Sequence, residues 1–401
     1  MNDDPARPSA TPVDGDGRRR WAKSLRVVLP VLALAVGGGG VFAAVGRGGD
    51  DVSTSEGHPG AERVAAAAAH GGMVTGTVWV ANEDGASLSA IDAATNRVVT
   101  TVKGVEGPDN VQVSPDGRSV WAVSGHDSMA VMLDAGSLAL HGAVPTGAAP
   151  AHVVVTPDGK TTYTTNGADG TVTAIDSTTM KLVATIPVGA GPHGLRPSPD
   201  GRWVFVANVS GSTLSVIDTA ANTKVGDIEV GKAPAQVAFS PDGRFVYASV
   251  NAEDAVVKVD VATRKVVGRV AVGDGPIQTY VSPDSRYVLA ANQGTKDRPG
   301  TTVSLIDTTT FTVARTVETG QGAHGVVVDP SSRHAYVTNL YGNDVAVLDL
   351  TELRVVARIP VGEKPNGISY SAVTVRAQSP VTIQMPEGQE TEADGHGGDG
   401  H

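Results

Sequence analysis

Three features of the 401-residue chain predict an all-β fold, a seven-bladed β-propeller of four-stranded antiparallel blades. A proline-led turn returns at Pro115, Pro157, Pro199, Pro241, Pro283 and Pro330, at intervals of 42, 42, 42, 42 and 47 residues; self-similarity of this length marks a solenoid or a propeller. An aspartate closing a V-x-V-I-D-like run falls at Asp92, Asp134, Asp176, Asp218, Asp260, Asp307 and Asp349, which makes seven copies. Gly or Pro interrupts every window of helical periodicity, so helical and leucine-rich solenoids are set aside.

One copy, Ser198 to Ser240, shows how each element arises. In Ser198-Pro199-Asp200-Gly201 the proline presets φ, the aspartate bonds the local backbone and the glycine closes a type I turn. The β-branched and aromatic run Trp203 to Asn208 is the next strand, Gly211 breaks it, and Leu214 to Asp218 is the strand after. Ala220 to Thr223 turns the chain into Lys224 to Val230. After Gly231-Lys232-Ala233-Pro234 the run Gln236 to Ser240 leads into the next proline turn, giving four short strands per repeat, the blade of a propeller. Many strands are apolar at consecutive positions, as blades covered on both faces require.

The motif Ala335-Tyr336-Val337-Thr338-Asn339 is echoed at Val78 to Asn82, Thr162 to Asn166, Val204 to Asn208 and Val288 to Asn292. It resembles the repeat of the YVTN propellers, a family of microbial surface-layer-like and extracytoplasmic proteins, over about residues 76 to 375. The copies at Val120 to Ser124 and Val246 to Val250 lack the Asn. The resemblance implies a binding platform and names no substrate, because a fold does not decide function.

At the N-terminus, residues 1–25 form a polar, cytoplasmic segment ending in the cluster Arg18, Arg19, Arg20 and Lys23. Residues 26–46, apolar from Val27 to Val45, suit a membrane-crossing helix, either retained as an anchor or cleaved as a signal peptide. The basic flank places everything after it outside the cytoplasmic membrane, anchored there or secreted. Residues 47–75 read as a linker and 76–375 as the propeller. Residues 376–401 read as an acidic, Gly- and His-containing tail, mostly disordered, with one short extended piece at Val381 to Gln384. The first blade lacks an inner strand, and Pro365-Asn366-Gly367-Ile368-Ser369-Tyr370 matches Pro192 to Pro197, so the C-terminal strand is expected to close the ring.

Composition excludes several classes. With 31 basic against 42 acidic residues the net charge is -11, which argues against nucleic-acid binding. The chain has no Cys, so disulfides and a lipidated-cysteine anchor are excluded. Gly189 to Gly194 fits G-x-G-x-x-G and Gly226 to Lys232 fits the start of a P-loop, but each runs from strand to strand. Without a helix N-terminus the phosphate-binding logic fails.

What remains is the face where each blade's inner strand begins. The seven copies present Asp109-Asn110, Ala151-His152, His193-Gly194, Ala235-Gln236, Ile277-Gln278, His324-Gly325 and Asn366-Gly367 at the mouth of the central channel. The loops between second and third strands add Glu83, Asp84, His126, Asp127, Asp169, Glu253 and Asp254, and Asn292 to Thr301 carries the five-residue insertion with Lys296 and Arg298. These polar residues either serve turn geometry at a wet channel mouth or form a site. As a site, Asp109, Asn110, His152, His193, Gln236, Gln278, His324 and Asn366 would contact a ligand, with Lys296 or Arg298 for an anionic group. His152, His193 and His324 would hold a divalent or transition metal ion if one is used. The expected function is a non-enzymatic scaffold for a protein, glycan or small-molecule ligand. The alternative is a metal-dependent lyase or lactonase at the same mouth.

Overall fold

The computed structural model describes residues 74–385, so the segment expected to cross the membrane lies outside the described residues. Among the described residues no helix is long and apolar enough to cross a membrane, and a 3₁₀ turn at Asn251–Glu253 interrupts an otherwise all-β chain. Seven antiparallel sheets follow one another. Blade 1 carries Thr77–Asn82, Ser87–Asp92 and Arg97–Lys103, and the inner strands of blades 2 to 7 are Val111–Val113, Pro150–Val155, Pro192–Pro197, Pro234–Phe239, Pro276–Val281 and Ala323–Val328. The ring closes as expected: Pro365–Ser371 pairs antiparallel with Thr77–Asn82 as the inner strand of blade 1.

Blade 1 holds a fifth strand, Val381–Thr382, parallel to Arg97–Lys103. The backbone N–H groups of Gln378 and Ile383 donate to the carbonyls of Val99 and Lys103, and Ile383 joins the core between blades 1 and 2. Residues 376–385 therefore belong physically to the ring.

The apolar runs behave as two-sided strands must. Val204 and Val206 pack with Val154, Tyr163 and Leu195 toward blade 3, while Phe205 and Ala207 pack with Val237 and Val246 toward blade 5. The same alternation puts Val78 and Val80 against blade 7 and Trp79 and Ala81 against blade 2. Side chains alternate along a pleated strand, so a strand covered on both faces needs no polar alternation.

The repeated aspartates hold turns. Asp200 accepts from Ser198 Oγ (2.5 Å) and Arg202 N (3.1 Å), and Gly201 takes φ +74°, open to glycine at no steric cost. These hydrogen bonds, Ser198 first, hold the Asp200 carboxyl below its ordinary value. Asp218 accepts from the N–H groups of Ala220 (2.9 Å) and Ala221 (3.1 Å) in the outer turn.

The insertion makes no free loop. It lengthens a hairpin of blade 6 into strands Tyr287–Gly294 and Pro299–Asp307, joined by Thr295 to Arg298.

Candidate functional site

In blades 3 to 7 a break in strand pairing lies where the inner strand enters the channel mouth. In blade 4 the register shifts between Pro192 and Leu195, and in blade 5 between Pro234 and Gln236. Blades 3, 6 and 7 shift between Pro150 and Val153, Pro276 and Thr279, and Ala323 and Val326. A bulge lets the two residues after the first position leave the pleat, and bulges of this kind re-aim side chains. The positions picked out by sequence in blades 3 to 7 fall at or beside these breaks, whereas Asp109 and Asn110 of blade 2 precede the short strand Val111–Val113, which pairs without a break.

Two layers of polar side chains fill the mouth. In the outer one, Asn366 Nδ2 donates to Asp109 Oδ1 and to Glu83 Oε2 (3.0 Å), and Lys364 Nζ donates to Glu83 Oε1 (2.6 Å). His193 Nε2 stands 3.9 Å from Asp109 Oδ2 although their blades are not neighbours, so the two residues span the axis. His193 Nδ1 lies 3.0 Å from the Ala235 carbonyl, to which it donates. Burial pushes the Asp109 carboxyl up to about 6, opposed in part by His193.

Beneath lie His152, Gln236, Gln278 and His324, all buried. The rings of His152 and His193 are 4.6 Å apart, and Gln236 Nε2 is 3.3 Å from His152 Nδ1. Gln236 Oε1 accepts from Val237 N, and Asn110 Oδ1 accepts from Val153 N. His324 Nδ1 faces Gln293 Oε1 at 3.2 Å. Burial first, and then the electrostatic influence of nearby basic side chains (His193 at both, with Arg196 at His152 and Lys364 at His324), holds the His152 imidazole well below its ordinary value and brings His324 down to about 3, so both are neutral at pH 7. Four buried atoms here have no hydrogen-bonding partner among the described residues: His152 Nε2, Gln278 Nε2, His324 Nε2 and Asn366 Oδ1.

The structure therefore gathers Asp109, Asn110, His152, His193, Gln236, Gln278, His324 and Asn366 at one end of the axis. Lys296 and Arg298 stand apart from them. Both are exposed at the hairpin tip, where Arg298 lies 3.8 Å from Asp274, and no hydrogen bond or ion pair ties either to the axial residues. Asp169, Glu253 and Asp254 bind backbone N–H groups of Ala148, Lys232 and Gly275 and so fasten loops. Among the described residues no group of three or more His, Asp or Glu is arranged to hold a metal ion. Sequence reasoning missed Gln293 and Lys364, whose positions in hairpin and turn carry no mark of an axial role.

A family model described as a YNCE-like β-propeller matches residues 119–379. No curated protein matches the chain. Among solved structures, Kuenenia stuttgartiensis hydrazine synthase is similar at 25% identity over 66% of this chain and 90% of its own, with a TM-score of 0.60. A candidate 6-phosphogluconolactonase from Bacteroides fragilis is similar at 19% identity over 74% of this chain and 98% of its own, TM-score 0.63. The dihydro-haem d1 dehydrogenase NirN is similar at 17% identity over 74% of this chain and 75% of its own, TM-score 0.56. At such identities the last two share the fold alone.

Proposed function

The chain belongs to the YNCE-like β-propeller family, and from that premise we propose that it is a non-enzymatic binding protein that holds a small polar ligand at the channel mouth. The observation that carries this reading is the set of four buried, unpartnered polar atoms contributed by His152, Gln278, His324 and Asn366 from four different blades. Leaving a buried polar atom unpaired costs about 1 to 3 kcal/mol, so a ligand or ordered water that supplies the missing bonds is favoured there. The set mixes imidazole, amide N–H and amide carbonyl, which recognises a ligand that both donates and accepts. A lyase or lactonase needs an activated ion or a nucleophile beside a base, and the described side chains at the mouth form neither arrangement.

The test is native mass spectrometry of the full-length protein in a mixture of defined polar metabolites and oligosaccharides, with bound metals measured in parallel. The expected result is a ligand recovered chemically unchanged, whose binding weakens roughly five-fold to a hundred-fold in His193→Ala and His324→Ala. Three results would overturn the proposal: a ligand converted to product, stoichiometric metal lost in the histidine variants, or a ligand both variants hold as wild type does.

A further inference from the structure

The axis has a second end, and it is built differently. There a cavity of about 450 Å³ lies between the closing halves of the inner strands, a size within the range of small-molecule sites. Equivalent positions of all seven blades line it, each the fifth residue counted from the Pro or Ala that opens the segment (Pro108 in blade 2): Gln112, Val154, Arg196, Ala238, Tyr280, Val327 and Ser369. Six of these seven equivalent positions are neutral. Arg196 alone is charged, and among the described residues it is the one charged group in the lining.

Arg196 is held without an acid. Its Nη1 donates to Gln112 Oε1, 3.3 Å away across the axis, and no described carboxylate lies within ion-pair distance. Desolvation by the surrounding protein lowers its pKa, opposed in part by the Tyr280 phenol. Removing a guanidinium from bulk water without a counter-charge is costly, and the other blades show that Val or Ala completes the same position. A charge kept where the fold does not need it fits a role in recognition. The remaining walls are mostly apolar, with Val155, Pro197, Phe239, Val281 and Val328 among them.

We propose that this cavity is a site for a monocarboxylate with an apolar body. The carboxylate takes the planar fork of Arg196, and the body lies against the Val, Pro and Phe239 walls. One guanidinium balances one negative charge, so a phosphate dianion would keep an uncompensated charge among apolar walls. This site stands on the opposite end of the axis from the one proposed above and does not depend on it.

Isothermal titration calorimetry of the full-length protein with benzoate, benzamide and inorganic phosphate tests the assignment. Benzoate is expected to bind, with benzamide and phosphate weaker by at least about tenfold, the size of one charge-assisted pair. Arg196→Met should lose benzoate binding by a similar factor while melting no lower than wild type, because it removes a half-buried charge that has no acid partner. Arg202→Gln, which deletes an exposed charge from the adjoining turn, should bind benzoate as wild type does. Absence of benzoate binding, equal binding of benzamide or phosphate, or full binding by Arg196→Met would overturn the proposal. If Arg196→Met fails to fold, the comparison of benzoate with benzamide on wild type still decides it.

Discussion

At the mouth, charge is governed by burial, and this sets a pH dependence. His152 and His324 have folded pKa values depressed by burial, with His193 next to both, Arg196 near His152 and Lys364 near His324. Their ordinary value is about 6.5, so the unfolded chain binds protons that the folded chain refuses. Their contribution is complete above about pH 6.5 and is lost as pH falls through it, at about 1.4 kcal/mol per pH unit for each residue. Asp109 has the opposite sign. Its pKa is raised to about 6, so its contribution is present at low pH and lost as pH rises through that value. Two histidines outweigh one aspartate, and the melting temperature should fall between pH 6.5 and 5, less steeply in His324→Gln. A flat profile, or one as steep in the variant, would contradict the neutral assignment of these imidazoles. The axial residues were legible because they break a seven-fold pattern at two positions per copy. Arg196 breaks it too, at the fifth position of the strand, where sequence alone does not separate a channel-facing residue from an interior one. Lys296 and Arg298 were chosen for charge, yet the longer hairpin carries them outward and delivers Gln293 to His324 instead.

Within a blade, the asparagine of the YVTN-type motif is an internal clamp. Asn208 Nδ2 donates to Thr213 Oγ1 and Ser215 Oγ, both at 3.0 Å on the following strand. Asn82, Asn166 and Asn292 repeat the arrangement with Ser87 and Ser89, Thr171 and Thr173, and Thr302 and Ser304. Against each clamp lies a glycine of the crossover, and a Cβ on Gly189 would meet the Asn208 amide at 2.4 Å. Blade 2 has Ser124 in place of the Asn and Val105 in place of the Gly, with Ser124 Oγ bonded to the backbone of the next residue, Glu106. Gly189→Ala should therefore destabilise the protein by about 1 to 3 kcal/mol through overpacking, and adding Asn208→Ser should recover part of the loss. Urea denaturation of the two single variants and the double reads this coupling, and strict additivity would mean that the glycine is not there for the asparagine. The period, the turns and the strand order were all legible because the same local chemistry recurs seven times. The clamp was not, since pairing Gly189 with Asn208 joins residues 19 apart that only the folded blade brings together.

For the whole ring, stability is set by closure. Seven apolar clusters lie one between each pair of adjacent blades, so no blade has a complete core without both neighbours. The interface between blades 7 and 1 depends on the C-terminal strand, which supplies Ile368 to the cluster containing Val78, Val80, Val327 and Tyr336. Closure also removes two sheet edges that would otherwise expose unpaired N–H and C=O groups. Three truncations should therefore rank in order. Deleting Gly388 to His401 takes away no residue of the described ring and should leave the melting temperature unchanged. Deleting Arg376 to His401 removes the fifth strand of blade 1 with Val381 and Ile383, and the loss should be partial, at about 1.5 to 3 kcal/mol for each large apolar side chain fully buried there. Deleting Asn366 to His401 removes most of the inner strand as well and opens the ring at both faces of blade 1. Against a total stability of about 5 to 15 kcal/mol, that last cut should abolish cooperative unfolding. Thermal melts of the three proteins read the order directly. Equal melting temperatures for the longest and shortest deletions would show that the ring holds without its closing strand.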